Sequence, residues 1–216
     1  MIIKAVIFDM DGVMIKSEPL HKKAFEKIFK QYGMNINWAR WKKIAKGRTD
    51  EEAFQDAIMQ LKMKIGAMDL VKQKSQIYLE LISEDVFEMK GIVDLINILH
   101  KKFKLAVTSN SSHAEIKAVL EKLNVEDFFD VIVSSSEDVT KGKPNPESYL
   151  LTARKLGLKP DECIVIEDSN TGVLAAKNAG MNCIGFHNGL EEQNLSKADF
   201  EVNSLEDIPK LISNQI

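Results

Sequence analysis

The 216-residue sequence predicts an α/β fold, a doubly wound, mainly parallel Rossmann-like sheet with a smaller helical domain inserted into it. Three observations carry this expectation. Short apolar runs recur along the chain with amphipathic helical segments between them. One long stretch close to the N-terminus is helical in pattern throughout. The length suits one core plus an insert, since a domain typically holds about 100 to 200 residues.

The runs, in order, are KAVIFD (4–9), KLAVTSN (104–110), DVIVSS (130–135), CIVIED (163–168), NCIGF (182–186) and the weaker DFEVNS (199–204). Near-continuous apolar character is what a parallel strand buried on both faces requires. Between them, GIVDLINILHKKF aligns Ile92, Leu95, Ile96 and Leu99 on one helical face, and AEIKAVLEKL does the same with Ile116, Val119, Leu120 and Leu123. NPESYLLTARKLG reads as a helix with Asn145 as N-cap, Pro146 in its first turn and Gly157 just past its end. The segment after the first strand offers three amphipathic patterns and no strand: Leu20, Ala24, Phe25, Ile28 and Phe29; Ala53, Phe54, Ala57, Ile58 and Leu61; Val71, Ile77, Tyr78, Leu81 and Ile82. Residues 16–84 are therefore expected to form a helical domain, with hinges near 16–19 and 83–91 and a core made of 1–15 and 85–216. Trp38 and Trp41 are expected to pack inside the helical domain.

A net charge of -3, from 29 basic and 32 acidic residues mixed along the chain, predicts no positive field that would draw in nucleic acid. No apolar stretch approaches the roughly 20 residues that span a bilayer, so no membrane partner is expected. The two cysteines, Cys163 and Cys183, open apolar runs and suit buried thiols in a reducing cytoplasm rather than a disulfide framework. No cleaved leader is expected, because the first strand runs directly into the acidic pair considered next.

The first run ends on Asp9 and Asp11, followed by Gly12. Both carboxylates can reach the crevice beyond the carboxyl edge of the sheet, where open α/β sheets bind ligands. Two carboxylates held together repel unless a cation neutralises them, and oxygen ligands point to magnesium. The fourth run ends in the same way, on Glu167 and Asp168, while Ser109, Asn110 and Lys143 lie beyond other strands or at helix entrances. A hydroxyl, an amide and an ammonium around metal-bound carboxylates suit phosphoryl transfer, which depends on positioning and charge neutralisation. Ser109 and Asn110 also read as the cap of the helix that starts near His113. His100, His113 and His187 show no metal-ligand spacing and read as structural or exposed.

The ordered set, DxDG, then Ser-Asn after a strand, then Gly-Lys-Pro, then Glu-Asp-Ser, resembles the haloacid dehalogenase superfamily over most of the chain. The helical insertion directly after the first motif resembles the subgroup of β-phosphoglucomutases and small-molecule phosphatases, whose helical cap closes over the site. The resemblance implies Asp9 as nucleophile, Asp11 as acid and base, and Ser109 and Lys143 on the phosphoryl group. Gly12, Asn110 and Ser111 are expected beside the substrate, and magnesium is expected on Asp9, the Asp11 backbone carbonyl, Glu167 and Asp168. It also implies a substrate-facing role for His21 in the first cap helix and a sugar contact for Lys74, for which a solvated helix-face lysine is the bland reading. A tyrosine at position 11 would have suggested the dehalogenase branch.

Three positions depart from the family pattern. Lys16 stands where most such relatives carry aspartate. Asp50 falls at the place of a cap arginine, with Arg48 nearby, and Ser112 falls at the place of a lysine. A mutase must neutralise both ends of a bisphosphate, so these losses favour hydrolysis. The expected activity is a magnesium-dependent phosphatase acting through an aspartyl phosphate on a small phosphomonoester, a sugar phosphate or similar metabolite. A phosphoglucomutase-like transferase is the runner-up, and a phosphoaspartyl receiver-type switch is a distant third. A monomer suffices for this chemistry.

Overall fold

A computed structural model of the chain describes residues 2–34, 36–45, 50–61, 64–84, 87–190 and 193–215; Arg48 lies outside them. The chain divides into two compact units, Met1–Lys16 with Val86–Ile216, and Ser17–Asp85.

The first unit is built on a six-stranded parallel sheet. Its strands are β1 (Ala5–Phe8), β2 (Lys104–Ser109), β3 (Val131–Ser134), β4 (Cys163–Glu167), β5 (Asn182–Phe186) and β6 (Phe200–Val202), in the spatial order β3-β2-β1-β4-β5-β6. Every residue of β1 and β4 is buried. Side chains alternate between faces along a strand, so burial of all of them means that both faces are covered. Ala5, Ile7, Cys163 and Val165 share one core with Tyr149, Ala153 and Leu156 of α7 (Glu147–Leu156) and with Val173, Ala175 and Ala176 of α8 (Asn170–Asn178). The other helices of this unit are α5 (Ile92–Leu99), α6 (His113–Lys122) and α9 (Ile208–Gln215). The buried face of α5 is Ile92, Leu95, Ile96 and Leu99, the set that the 3.6-residue period selects.

Two helix starts differ from the sequence reading. The cap of α6 is Ser112, not Ser109 or Asn110: its hydroxyl accepts from the Glu115 N–H while Glu115 returns a bond to the Ser112 N–H, a complete capping box. Helix α7 begins one residue later than expected, with Pro146 at the cap position and Asn145 Oδ1 accepting the Glu147 N–H.

The second unit holds α1 (Glu18–Gln31), α2 (Trp38–Ala45), α3 (Asp50–Leu61) and α4 (Ala67–Glu84) around a core of Phe25, Phe29, Trp41, Phe54 and Leu70. The α1 face, Leu20, Ala24, Phe25, Ile28 and Phe29, is buried as its period requires. Trp41 packs against Phe25, Phe29 and Phe54 at centroid distances of 4.6, 5.0 and 5.1 Å. Among the described residues no helix is long and apolar enough to cross a membrane.

Candidate active site

In this strand order the chain leaves β1 toward β2 on one side and returns to β4 on the other, so the crevice at their carboxyl ends is the topological switch point. The register pairs Phe8 with Ile166, which places Asp9, the residue after β1, level with Glu167 at the end of β4. Ser109 ends β2 beside them, paired with Ser134.

Lys143, from the loop between β3 and α7, joins these ends. Its ammonium donates to Asp9 Oδ1 at 2.5 Å, Glu167 Oε1 at 2.7 Å and the Thr108 carbonyl at 3.1 Å, and its side chain is only 3% exposed. Burial works against the charged ammonium, but Asp9 and Glu167 outweigh it and hold the Lys143 pKa well above its ordinary value. The Tyr149 ring lies 4.9 Å from the ammonium.

Glu167 is the most tightly held carboxylate of the group. Oε1 also accepts from the Tyr149 hydroxyl at 2.9 Å, and Oε2 accepts from the Asp168 N–H, the Ser169 N–H and the Ser169 hydroxyl at 3.1, 3.1 and 3.0 Å. The carboxylate rests on α8 so closely that a Cβ at Gly172 would stand 1.7 Å from Oε1.

Asp9, Glu167 and Asp168 each offer an oxygen within 4.8 Å of the other two. Burial pushes the Asp9 pKa well up; Lys143 pulls it back, and Glu167, Asp168 and Asp11 push it further. Asp168 is pushed up to about 8, by burial first and then by Glu167 and Asp11. One ammonium therefore does not neutralise the group. An all-oxygen donor set short of positive charge fits a hard divalent cation. Within it Glu167 is the least available oxygen source, because both of its oxygens already carry hydrogen bonds.

Asp11 is held by two serines: the Ser109 and Ser111 hydroxyls donate to its Oδ2 at 3.2 and 3.1 Å. The Ser111 N–H in turn donates to Ser109 Oγ, and Ser134 Oγ donates to the Ser111 carbonyl. Gly12, at φ +85°, lets the chain turn where a Cβ would meet Asp168 Oδ2 at 2.1 Å. Asn110 is exposed at the rim. The structure thus brings together Asp9, Asp11, Gly12, Ser109, Ser111, Lys143, Glu167 and Asp168.

A family model for haloacid dehalogenase-like hydrolases matches residues 6–186. The chain belongs to this family. A phosphorylated carbohydrates phosphatase from Thermotoga maritima is 33% identical over 182 residues, covering 84% of this chain and 83% of the relative. The solved structure of CbbY from Rhodobacter sphaeroides in complex with phosphate matches with a TM-score of 0.84 and 28% identity, over 96% of each chain. A putative β-phosphoglucomutase from Thermotoga maritima matches with a TM-score of 0.78 and 30% identity, over 99% of this chain and 100% of that one. This haloacid dehalogenase-like hydrolase is a phosphoric monoester hydrolase of the β-phosphoglucomutase-like group.

In the helical unit of this hydrolase, His21 stacks on Tyr78 with ring centroids 4.3 Å apart and an interplanar angle of 9°. Lys74 is not the solvated lysine of the bland reading: its side chain is 5% exposed, pairs with Asp50 at 3.2 Å and lies 4.7 Å from the Tyr78 ring. The two positions weighed separately in the sequence, Asp50 and Lys74, are one ion pair. Of the remaining histidines, His113 pairs with Asp138 at 2.9 Å and His187 with Glu201 at 2.6 Å.

Sequence reasoning had Ser169 only as the end of the Glu-Asp-Ser motif and missed Tyr149, Gly172, Asn188, whose amide donates to Asp168 Oδ2, and Gln193, whose amide donates to the Asp168 carbonyl. Tyr149 sits on the apolar face of α7 and reads as core; its hydroxyl, which needs a partner when buried, was the available signal. Asn188 and Gln193 lie beyond β5 in a polar stretch with no periodicity, and nothing local marks them.

Proposed function

We propose that this hydrolase is a magnesium-dependent phosphatase of small phosphomonoesters, sugar phosphates or similar metabolites, working through an aspartyl phosphate on Asp9. The observation that carries the reading is the Lys143 ammonium fixed between Asp9 and Glu167 with Asp11 beside them, at the switch-point crevice. A receiver-type switch is set aside by the family. The similarity to a phosphorylated carbohydrates phosphatase supports the substrate class.

An Asp9 carboxylate oxygen attacks phosphorus, the bond from phosphorus to the ester oxygen breaks, and Asp11 delivers its proton to the departing alkoxide. Water then attacks the phosphoaspartate, Asp11 takes the water's proton, and phosphate leaves with the Asp9 carboxylate regenerated. Lys143 offsets negative charge that would repel the attack, and Ser109 and Ser111 orient Asp11 through Oδ2. Ser109, Ser111 and Gly12, which are buried, and Asn110, which is exposed, are assigned to the pocket that receives the phosphoryl group. Asp9, Asp168 and the Asp11 carbonyl would hold magnesium, which supplies further charge neutralisation on the phosphoryl oxygens. Glu167 belongs to the same acidic group and fixes Lys143 and Asp168. Substrate choice is assigned to the helical unit, where His21 and Lys74 belong to one preorganised cluster.

The test is phosphate release from a panel of sugar phosphates with magnesium, together with trapping of the acyl phosphate on Asp9 by borohydride reduction. Multiple-turnover release, lost in Asp9→Asn, is the expected result. Release that survives Asp9→Asn refutes the nucleophile. Isomerisation primed by a bisphosphate, without net release, would install the transferase reading instead.

A further inference from the structure

The loop after β5 meets the acidic crevice through one side chain. The Asn188 amide nitrogen donates to Asp168 Oδ2 at 2.9 Å and to the Gly12 carbonyl at 3.0 Å. It therefore ties the segment after β1 to the segment after β4, the two places that carry the carboxylates Asp9, Asp11 and Asp168. Asn188 is itself fixed. Its Oδ1 accepts the Leu190 N–H at 2.9 Å, and its N–H donates to Gln193 Oε1 at 3.1 Å. The Gln193 amide nitrogen closes the circuit by donating to the Asp168 carbonyl at 2.6 Å and to the Phe186 carbonyl at 3.3 Å.

The choice of an amide has a chemical consequence. Lysine or arginine at this place would neutralise Asp168 and compete with a cation. A neutral NH₂ group orients the carboxylate and leaves its charge available. With Oδ2 engaged by Asn188, Oδ1 accepts no side-chain hydrogen bond from the described residues and is the oxygen left to bind a metal. The same NH₂ group holds the Gly12 carbonyl beside that carboxylate, where Gly12 has no Cβ to intervene.

We infer that Asn188 is a positioning residue that sets the cation affinity of the crevice by presenting Asp168 through one oxygen at a fixed distance from the DxDG segment, with Gln193 bracing it. The inference rests on the magnesium reading above. Partners of metal-binding carboxylates typically carry about 10- to 100-fold in metal affinity.

Magnesium binding to the wild-type, Asn188→Ala and Asn188→Ser proteins, measured by isothermal titration calorimetry without substrate, tests this. Serine keeps an acceptor for the Leu190 N–H but is too short to reach both Asp168 and Gly12, so it preserves the turn if alanine loosens it. Both variants are expected to bind magnesium about 10-fold or more weakly, to need correspondingly more magnesium for half-maximal turnover, and to recover kcat when magnesium saturates. A merely structural residue would lower kcat at every magnesium concentration. Folded variants that bind magnesium within about twofold of wild type overturn the inference alone. A wild-type protein that binds no magnesium overturns the magnesium reading and the inference with it.

Discussion

Gly172→Ala sets two effects of opposite sign against each other. Gly172 lies in the first turn of α8, where alanine is ordinarily better than glycine by up to about 1 kcal/mol. Here the added Cβ would stand 1.7 Å from Glu167 Oε1, 1.9 Å from Cδ and 2.2 Å from Oε2. Glu167 is 1% exposed and cannot swing into water without leaving Lys143, Tyr149 and the Ser169 hydroxyl. Breaking one side of a buried ion pair typically costs about 3 to 5 kcal/mol. The net expectation is a loss of about 2 to 4 kcal/mol, which for a chain of this size lowers Tm by about 4 to 16 °C. Turnover falls as well, because Lys143 loses one of its two carboxylate partners. Gly142→Ala is the control: its Cβ would find only Asn110 Oδ1, at 3.9 Å, so stability should stay level or rise slightly. Thermal melts of both variants with a phosphate-release assay decide it. A Gly172→Ala protein that melts at or above wild type with full turnover would refute the packing argument.

Lys143→Met should reduce turnover by about 100-fold or more, as loss of one charge-stabilising donor commonly does, and Lys143→Arg should not restore it in a slot 3% exposed; steady-state kinetics check both. The pKa of Asp168, about 8, lies above the unfolded carboxylate range, so the folded metal-free protein holds a proton there that the unfolded chain releases. That contribution is full below about pH 4 and lost as pH rises through about 8, so scanning fluorimetry of metal-free protein should show this part of the stability falling over that window and magnesium opposing the fall. Ser111→Ala removes the hydroxyl that donates to Asp11 Oδ2, a charged hydrogen bond worth about 1.5 to 3 kcal/mol, and should slow turnover about tenfold or more and lower Tm by about 3 to 12 °C. Ser112→Ala removes the real cap of α6 and should cost about 1 kcal/mol in a denaturant melt while leaving turnover intact.

What the sequence made legible follows from range. The α1 and α5 faces were readable because a helix repeats every 3.6 residues and its buried side chains lie within one segment. The convergence of Asp9, Asp11, Lys143 and Asp168 was readable because each stands just beyond a strand end or at a helix entrance, and parallel strands bring those points to one edge. Helix α2 escaped notice because eight residues with one fully buried side chain, Trp41, make too short a pattern. The Ser112 cap was displaced onto Ser109 and Ser111's neighbour Asn110 because any of these polar residues can cap, and only the backbone decides which one does. The Asp50–Lys74 pair and the Asn188 and Gln193 contacts depend on meetings between distant segments that no local pattern records.

The central strand β1 has neighbours drawn from far along the chain: Ala5 pairs with both Lys104 and Cys163. Pairings this remote in sequence close slowly, and a truncated chain that stops short of β4 retains Asp9, Asp11 and Lys143 yet lacks Glu167 and Asp168. During refolding, helical signal should therefore return well ahead of turnover, which makes released phosphate a clock for the last step of assembly.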